Sequence, residues 1–230
     1  MVEIPDWWRR PTVFWSAEGA HTWTVERLRS KLVTQKGFFH EEAIRLLYRD
    51  DQAVAKLTDY SQLGEAESRL ESLHQQDDLE TTIEMLEETN SYMWGLAIAG
   101  LFHQWERDTR KVIASFDKGL SSTKLDKADF SKLCKMLEGI GFVIKEHNVF
   151  SGMRTTCLIA NTIKHGTGSS FKHLLKEKPD LFRQHGRKLR AAQPDDLRLT
   201  EREFDAAATA ISGTWTACEM AVNHGGAPPP

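Results

Sequence analysis

Residues 79–116, LETTIEMLEETNSYMWGLAIAGLFHQWERDTRKVIASF, decide the fold class of this 230-residue chain. The stretch contains no proline, and its apolar residues recur at the three- and four-residue spacing of one helix face. Gly95 and Gly100 are its only helix breakers, so we expect one long helix, with any bend near these glycines. A helix with such an apolar stripe must pack against other helices to remove the stripe from water.

Helical patterns continue on both sides of this stretch. Asp126 offers a cap for a helix after a loop at 120–125, and Thr200 with Glu203 forms a capping box that opens a final helix ending near Val222. A short extended piece is expected at 197–199, and alternating strand–helix units are absent, which excludes a nucleotide-binding sheet. The other predicted helices cover 23–34, 40–60, 65–76, 149–165 and 170–178. The sequence therefore predicts an all-α helical bundle in which the long central helix packs antiparallel against 149–165.

Three segments divide the chain. Residues 1–22 form a Trp-rich N-terminal segment, whose aromatic side chains we expect to dock on the core or on a partner. Residues 23–222 are long enough for a single helical domain with one substantial core. Residues 223–230 end in Gly-Gly-Ala-Pro-Pro-Pro and are expected to be a disordered tail.

Composition indicates a soluble protein of the cytoplasm. Apolar residues make up 40% of the chain and charged residues 27%, which is ordinary for a globular protein. No run of about 18 apolar residues exists to cross a membrane, and the first residues lack the pattern of a secretory signal. The three cysteines are scattered and have no zinc-finger spacing, so we expect small buried residues in a reducing compartment.

Charge is distributed unevenly along the chain. Residues 65–90 contain nine acidic residues against Arg69, whereas residues 164–190 contain eight Lys or Arg against two acidic residues. The basic block predicts an anionic partner, for which RNA is a candidate. The alternative is that the two blocks face each other or are simply solvated surface.

The segment 158–170, LIANTIKHGTGSS, carries the main candidate site. Asn161 and His165 are four residues apart and share a helix face, with Lys164 beside them. The following glycine is expected to end the helix, and one of two serines to cap the next, which places a helix N-terminus close by. Such an arrangement suits a phosphate. The predicted phosphate or RNA ligands are Gly166, Gly168, Ser169, Ser170, Lys172 and His173.

A second polar cluster lies on the long helix. His103, Glu106 and Arg110 share a face there, and a carboxylate that orients an imidazole is what general acid–base chemistry requires. If the two helices pack, this cluster is expected to meet Asn161 and His165; otherwise the Glu–His pair is only a structural tie. For Arg154 we expect a salt bridge. The sequence predicts no metal site and no cofactor, since no complete ligand set or phosphate loop is present.

The pattern Asn161-x-x-x-His165 resembles the active helix of the HEPN superfamily, in which Arg, often Asn, and His follow one another. The Arg position of that motif is occupied here by Leu158, Ile159 or Ala160. The resemblance covers about residues 80–220. It implies a small helical bundle, often dimeric, and a metal-independent ribonuclease of the kind found in toxin–antitoxin and antiviral defence systems.

The same resemblance implies a role for each candidate residue. His165 would be the general acid or base, Lys164 would stabilise the phosphate charge, and Asn161 would orient the phosphate or the imidazole. Glu106 and His103 would support them from the facing helix. The leading hypothesis is therefore a HEPN-like RNA-binding protein that acts as an endoribonuclease. The alternatives are a non-catalytic homodimerisation or interaction module, with the Trp-rich segment docking a partner, and a sensor of a small anion or nucleotide at the glycine loop.

Overall fold

The computed structural model describes residues 22, 24–32, 65–117, 119–183 and 192–223. Within these ranges the chain forms seven α-helices that pack together, and extended backbone pairs only at one bridge, between Phe182 and Leu197. The helices are α1 (24–32), α2 (Glu65–Phe116), α3 (Ser122–Asp126), α4 (Phe130–Gly139), α5 (Val149–His165), α6 (Ser169–Glu177) and α7 (Glu201–Asn223). The all-α class is confirmed. Residues 1–21, the predicted helix at 40–60 and the tail from 224 lie outside the described residues.

Helix α2 is longer than the sequence pattern indicated. It runs without interruption for 52 residues, because no glycine or proline separates the acidic stretch 65–76 from the apolar stretch that begins at 79. Trp94 and Trp105 are each 1% exposed, and Ile98 and Leu101 between them are fully buried. This half of α2 therefore forms the centre of the core.

Helix α5 packs against α2, α7 and α6, and its contact with α2 is the most extensive of the three. A Cβ atom at Gly95 of α2 would lie 2.6 Å from Cδ1 of Ile163, near the end of α5. Towards the other end of the contact, the ring of Phe130 in α4 lies 5.9 Å from that of Phe102 in α2 and 6.1 Å from that of Phe150 at the start of α5, measured between ring centroids. The two helices therefore run antiparallel, as predicted.

The contact between α5 and α7 depends on glycine at two positions. A Cβ at Gly152 would lie 2.8 Å from the Cβ of Ala210, and a Cβ at Gly213 would lie 2.6 Å from Cγ1 of Val149. Because each glycine faces a side chain of the opposite helix, the two backbones approach closely. This contact fixes the N-terminal half of α5 and leaves its C-terminal turns to carry the candidate site.

The connection between α2 and α4 differs from its prediction. Residues Ser122–Asp126 form the short helix α3, where a loop was expected, and the side chain of Leu125 in this helix is buried. The cap of α4 is Asp129, whose carboxylate accepts a hydrogen bond from the backbone N–H of Lys132 at 2.9 Å. Asp126 is instead the last residue of α3.

Candidate functional site

The helix end predicted from 158–170 is present. Helix α5 ends at His165, and Gly166 follows with φ = 63° and a 2.8 Å hydrogen bond from its N–H to the carbonyl of Thr162. Helix α6 then begins at Ser169 with Gly168 as its N-cap and no side-chain cap. Neither Ser169 nor Ser170 is the cap, because the connection is so short that both already lie in the first turn of α6.

Six exposed basic or imidazole side chains lie at the end of α5 and along α6, and we call them the cationic face. They are Lys164, His165, Lys172, His173, Lys176 and Lys178. Within the described part of the chain, none of these lysines forms an ion pair. Helix α6 is held beneath them by Phe171 and Leu174, which are buried in the core.

The acidic residue inside the cationic face is already neutralised. Arg154 donates two hydrogen bonds to Glu177, at 2.6 and 3.1 Å, so the salt bridge expected for Arg154 is present. The hydrogen bond from Arg154 holds the pKa of the Glu177 carboxyl below its ordinary value, and the same bond raises the pKa of Arg154. The lysines around this pair therefore keep an excess of positive charge.

Asn161 and His165 differ in their surroundings although they share a face of α5. The amide of Asn161 is partly buried and donates to Sγ of Cys157 at 3.3 Å, one turn back along the same helix. The His165 side chain is exposed, and it has no hydrogen-bond partner among the described residues. Of the two, His165 is the more accessible to a ligand in solvent.

The second cluster is a connected network within α2. Nδ1 of His103 lies 2.9 Å from Oε2 of Glu106, and the other carboxylate oxygen lies 3.8 Å from Arg110. Arg110 donates to the backbone carbonyls of Leu125 and Ala128, at 3.1 and 2.8 Å. These bonds attach the end of α3 to α2, so the geometry supports the alternative of a structural tie.

The two clusters lie at different levels of the bundle. With Gly95 beside Ile163 and a rise of 1.5 Å per residue, His103 is about 9 Å from Asn161 and about 15 Å from His165 along the helix axes. Within the described residues, no hydrogen bond or ion pair joins the clusters. Their catalytic roles stay predictions, and the expected meeting of all five residues around one point finds no support in this geometry.

A cleft of about 390 Å³ lies beside the cationic face and was not foreseen from the sequence. Its walls come from α2, from the end of α5 and from residues 194–199. The lining residues are Glu88, Thr89, Ser91, Tyr92, Thr162, Ile163, Gly166, Pro194, Asp195, Leu197, Arg198 and Leu199.

One buried hydroxyl shapes this cleft. Oγ of Ser91 donates to the carbonyl of Leu197 at 3.0 Å and accepts from the N–H of Leu199 at 2.8 Å. The extended backbone 197–199 is thereby fixed on α2. A single serine among the apolar residues of a core-facing helix stretch is the one signal that could have indicated this wall.

The thiols are not suited to nucleophilic chemistry. Burial raises the pKa of Cys134 to about 11, of Cys157 to about 12 and of Cys218 to about 12, and at Cys157 the charge of Glu106 raises the pKa further. In the ranges that the structure describes, no three His, Cys, Asp or Glu side chains are grouped to hold a metal ion. The described helices also include none with the length and apolar content of a membrane span.

Comparisons with protein-family models, with curated proteins and with solved structures found no match to this chain. The HEPN-like assignment stays a prediction that depends on the Asn161–His165 pattern.

Proposed function

We propose that this protein binds single-stranded RNA through the cationic face. The observation that carries the proposal is the set of four exposed lysines that extends from the end of α5 along α6, none of which forms an ion pair with a described residue. A surface of this kind attracts a phosphate backbone and releases the counterions that the backbone had condensed. The N-terminus of α6 has no side-chain cap, and its first backbone N–H groups lie only a few residues after the end of α5, where they can also bind a phosphate.

The geometry supports phosphate binding more directly than sequence readout. Lysine is a flexible point charge, which follows a phosphate chain without demanding one geometry. If three to four phosphates are contacted, the logarithm of the affinity should fall with the logarithm of salt concentration with a slope of about −2 to −3. Inorganic phosphate alone should compete poorly, because it lacks this multiple contact.

Binding is tested by fluorescence anisotropy of a labelled single-stranded RNA between about 50 and 200 mM salt. Lys172→Gln combined with Lys176→Gln should weaken binding and reduce the slope by about 1 to 1.5. The matched control is Lys124→Gln with Lys127→Gln, because both lysines are exposed on or beside α3. Equal effects of the two double variants would mean that RNA does not select the cationic face.

We further propose that the protein cleaves the RNA that it binds. His165 is an exposed imidazole beside Lys164, and an imidazole can exchange a proton with a ribose hydroxyl near neutral pH. Incubation of labelled RNA with the protein in a chelator should give products that disappear in His165→Ala and persist in His147→Ala. RNA that stays intact across pH, with binding retained, would leave a binding protein without nuclease activity.

The HEPN resemblance supplies the biological setting of the proposal. On that resemblance we propose that the protein acts in a bacterial defence or toxin–antitoxin system of the cytoplasm. Three buried free thiols are in keeping with a reducing compartment.

A second copy of the chain is the alternative partner. Met85, Tyr92 and Leu96 are 62%, 55% and 49% exposed, and their spacing places all three on one face of α2. Exposed apolar side chains in a row are typical of a protein interface. Sedimentation should then show a dimer that Leu96→Lys converts to a monomer, whereas a wild-type monomer at all concentrations would exclude this interface.

A further inference from the structure

We infer that the cleft between α2, α5 and residues 194–199 receives one base of the RNA bound on the cationic face, with preference for a base that carries an amino group. This inference rests on the proposed function. The volume of the cleft, about 390 Å³, falls in the range of about 300–1,000 Å³ that is typical of small-ligand sites.

The cleft and the cationic face meet at one residue. Gly166 lines the cleft and directly follows Lys164 and His165 in the chain. At 3.8 Å between consecutive Cα atoms, the Cα atoms of Lys164 and Gly166 are at most about 7.6 Å apart. A phosphate at the lysine therefore leaves its neighbouring base within reach of the cleft.

The walls of the cleft offer the surfaces that an unstacked base requires. Ile163, Leu197 and Leu199 supply apolar contact, and Tyr92, which is 55% exposed, supplies an aromatic ring. Single-stranded bases stack on such rings, whichever base is presented. Because Ser91 fixes the 197–199 wall, the cleft is formed before a ligand enters.

The polar groups of the cleft select a base and exclude a phosphate. Asp195 has an exposed side chain with no partner for its carboxylate among the described residues, and Glu88 shares its carboxylate with Arg198 at 3.0 Å. The same guanidinium also donates to the carbonyls of Asp195 and Leu197, so it holds the wall in place. Carboxylates accept hydrogen bonds and repel phosphate, so the fitting partners are the donors of a base, above all the exocyclic amino groups of cytosine, adenine and guanine.

Cytidine and uridine are the matched probes, because cytosine carries a donating amino group at position 4 where uracil has a carbonyl. The ring donor of uracil, N3–H, lies between two carbonyl oxygens that repel a carboxylate. Titration followed by NMR, at the resonances of residues 88–92 and 194–199, should show roughly tenfold tighter binding of cytidine, as expected for one hydrogen bond to a charged group. Asp195→Asn should remove most of this preference. Tyr92→Ala should weaken both nucleosides, and Glu87→Gln, on α2 but not in the cleft lining, should change neither.

The outcomes separate the inference from the proposed function. Nucleosides carry no phosphate, so their binding should be insensitive to Lys172→Gln with Lys176→Gln, the variant that tests RNA binding. Equal affinities for cytidine and uridine, or no binding of either, would overturn the inference even if RNA still binds the cationic face. Failure of RNA to bind, with cytidine preference retained, would overturn the proposed function and show that the cleft takes a nucleoside by itself.

Discussion

Replacing Gly152 by alanine tests how closely α5 approaches α7. The added methyl group would lie 2.8 Å from the Cβ of Ala210, and neither atom can rotate away because both are attached directly to helix backbone. Overpacking of this kind costs about 1–3 kcal/mol, whereas the change from glycine to alanine in a helix gains at most about 1 kcal/mol. We therefore expect Gly152→Ala to lower the free energy of unfolding by about 1 kcal/mol.

Gly100→Ala is the matched control for this substitution. Gly100 also lies within a helix, but a Cβ built there meets nothing within 4 Å, so the change should stabilise the protein by about 0.5–1 kcal/mol. The partner change Ala210→Gly should by itself cost about 1 kcal/mol of helix propensity. In the double variant of Gly152 and Ala210 the clash is absent and the two propensity changes offset each other, so its stability should match wild type.

Urea unfolding followed by circular dichroism measures the wild type and the four variants, and an unchanged m value establishes that the same surface is exposed in each. The double-mutant cycle should give a coupling of about 1–3 kcal/mol between the two positions. The reasoning is refuted if Gly152→Ala is as stable as Gly100→Ala, or if the coupling is zero. Either result would contradict the described contact between α5 and α7. It would also contradict the position of the candidate site, because that contact fixes α5.

Three further predictions concern single groups. Ser91→Ala should lower the free energy of unfolding by about 1–3 kcal/mol in urea titrations, because it leaves the backbone N–H of Leu199 unsatisfied and the carbonyl of Leu197 with only the 3.3 Å bond from Arg198. At Glu203, burial opposes ionisation, but hydrogen bonds from Thr200 and Arg202 outweigh this effect and lower the pKa of the carboxyl. The ionised carboxylate should therefore stabilise the folded protein above pH 4.5, and this stabilisation should be lost as the pH falls through the folded pKa. Thermal melts of Glu203→Gln and wild type should then converge in acid. Burial raises the pKa of the three thiols to about 11 or 12, so at pH 8 all three should react with a disulfide reagent only after unfolding, and fast reaction of the native protein would contradict their burial.

Local signals were sufficient to predict most helices. The bounds of α5 agree with the prediction at both ends, because the apolar period of 149–165 stops at a glycine that adopts positive φ. The start of α7 was equally predictable, since the capping box of Thr200 and Glu203 needs only residues within one turn. Such signals act over a few residues and do not depend on the rest of the fold.

Caps were predicted poorly where several polar residues lie within one turn. Asp126 and Asp129 are each able to accept a backbone hydrogen bond, and sequence pattern alone does not separate them. The choice is made by tertiary packing, since burial of Leu125 and Ala128 against α2 keeps the chain helical up to Asp126. Only the later aspartate then remains outside a helix and available as a cap.

The sequence predicted the end of α5 at His165, but it did not predict how far that end lies from the His103 cluster. Periodicity shows which residues share a face of one helix, but it does not give the axial register between two helices. Here that register depends on Gly95, where the absence of a side chain lets α2 approach Ile163. A shift of the contact by about three turns would have brought His103 level with His165.

The register also explains why binding and stability should respond to different residues. Glu106 has a side chain that is 15% exposed and joins His103 to Arg110, which attaches α3 to α2. Loss of such a carboxylate leaves a partly buried guanidinium without its charge partner, so Glu106→Gln should lower stability and leave RNA affinity unchanged. His165 lies exposed at the other level of the bundle, so its removal should act on RNA alone. Parallel effects of both substitutions on RNA would instead mean that the two clusters act as one site.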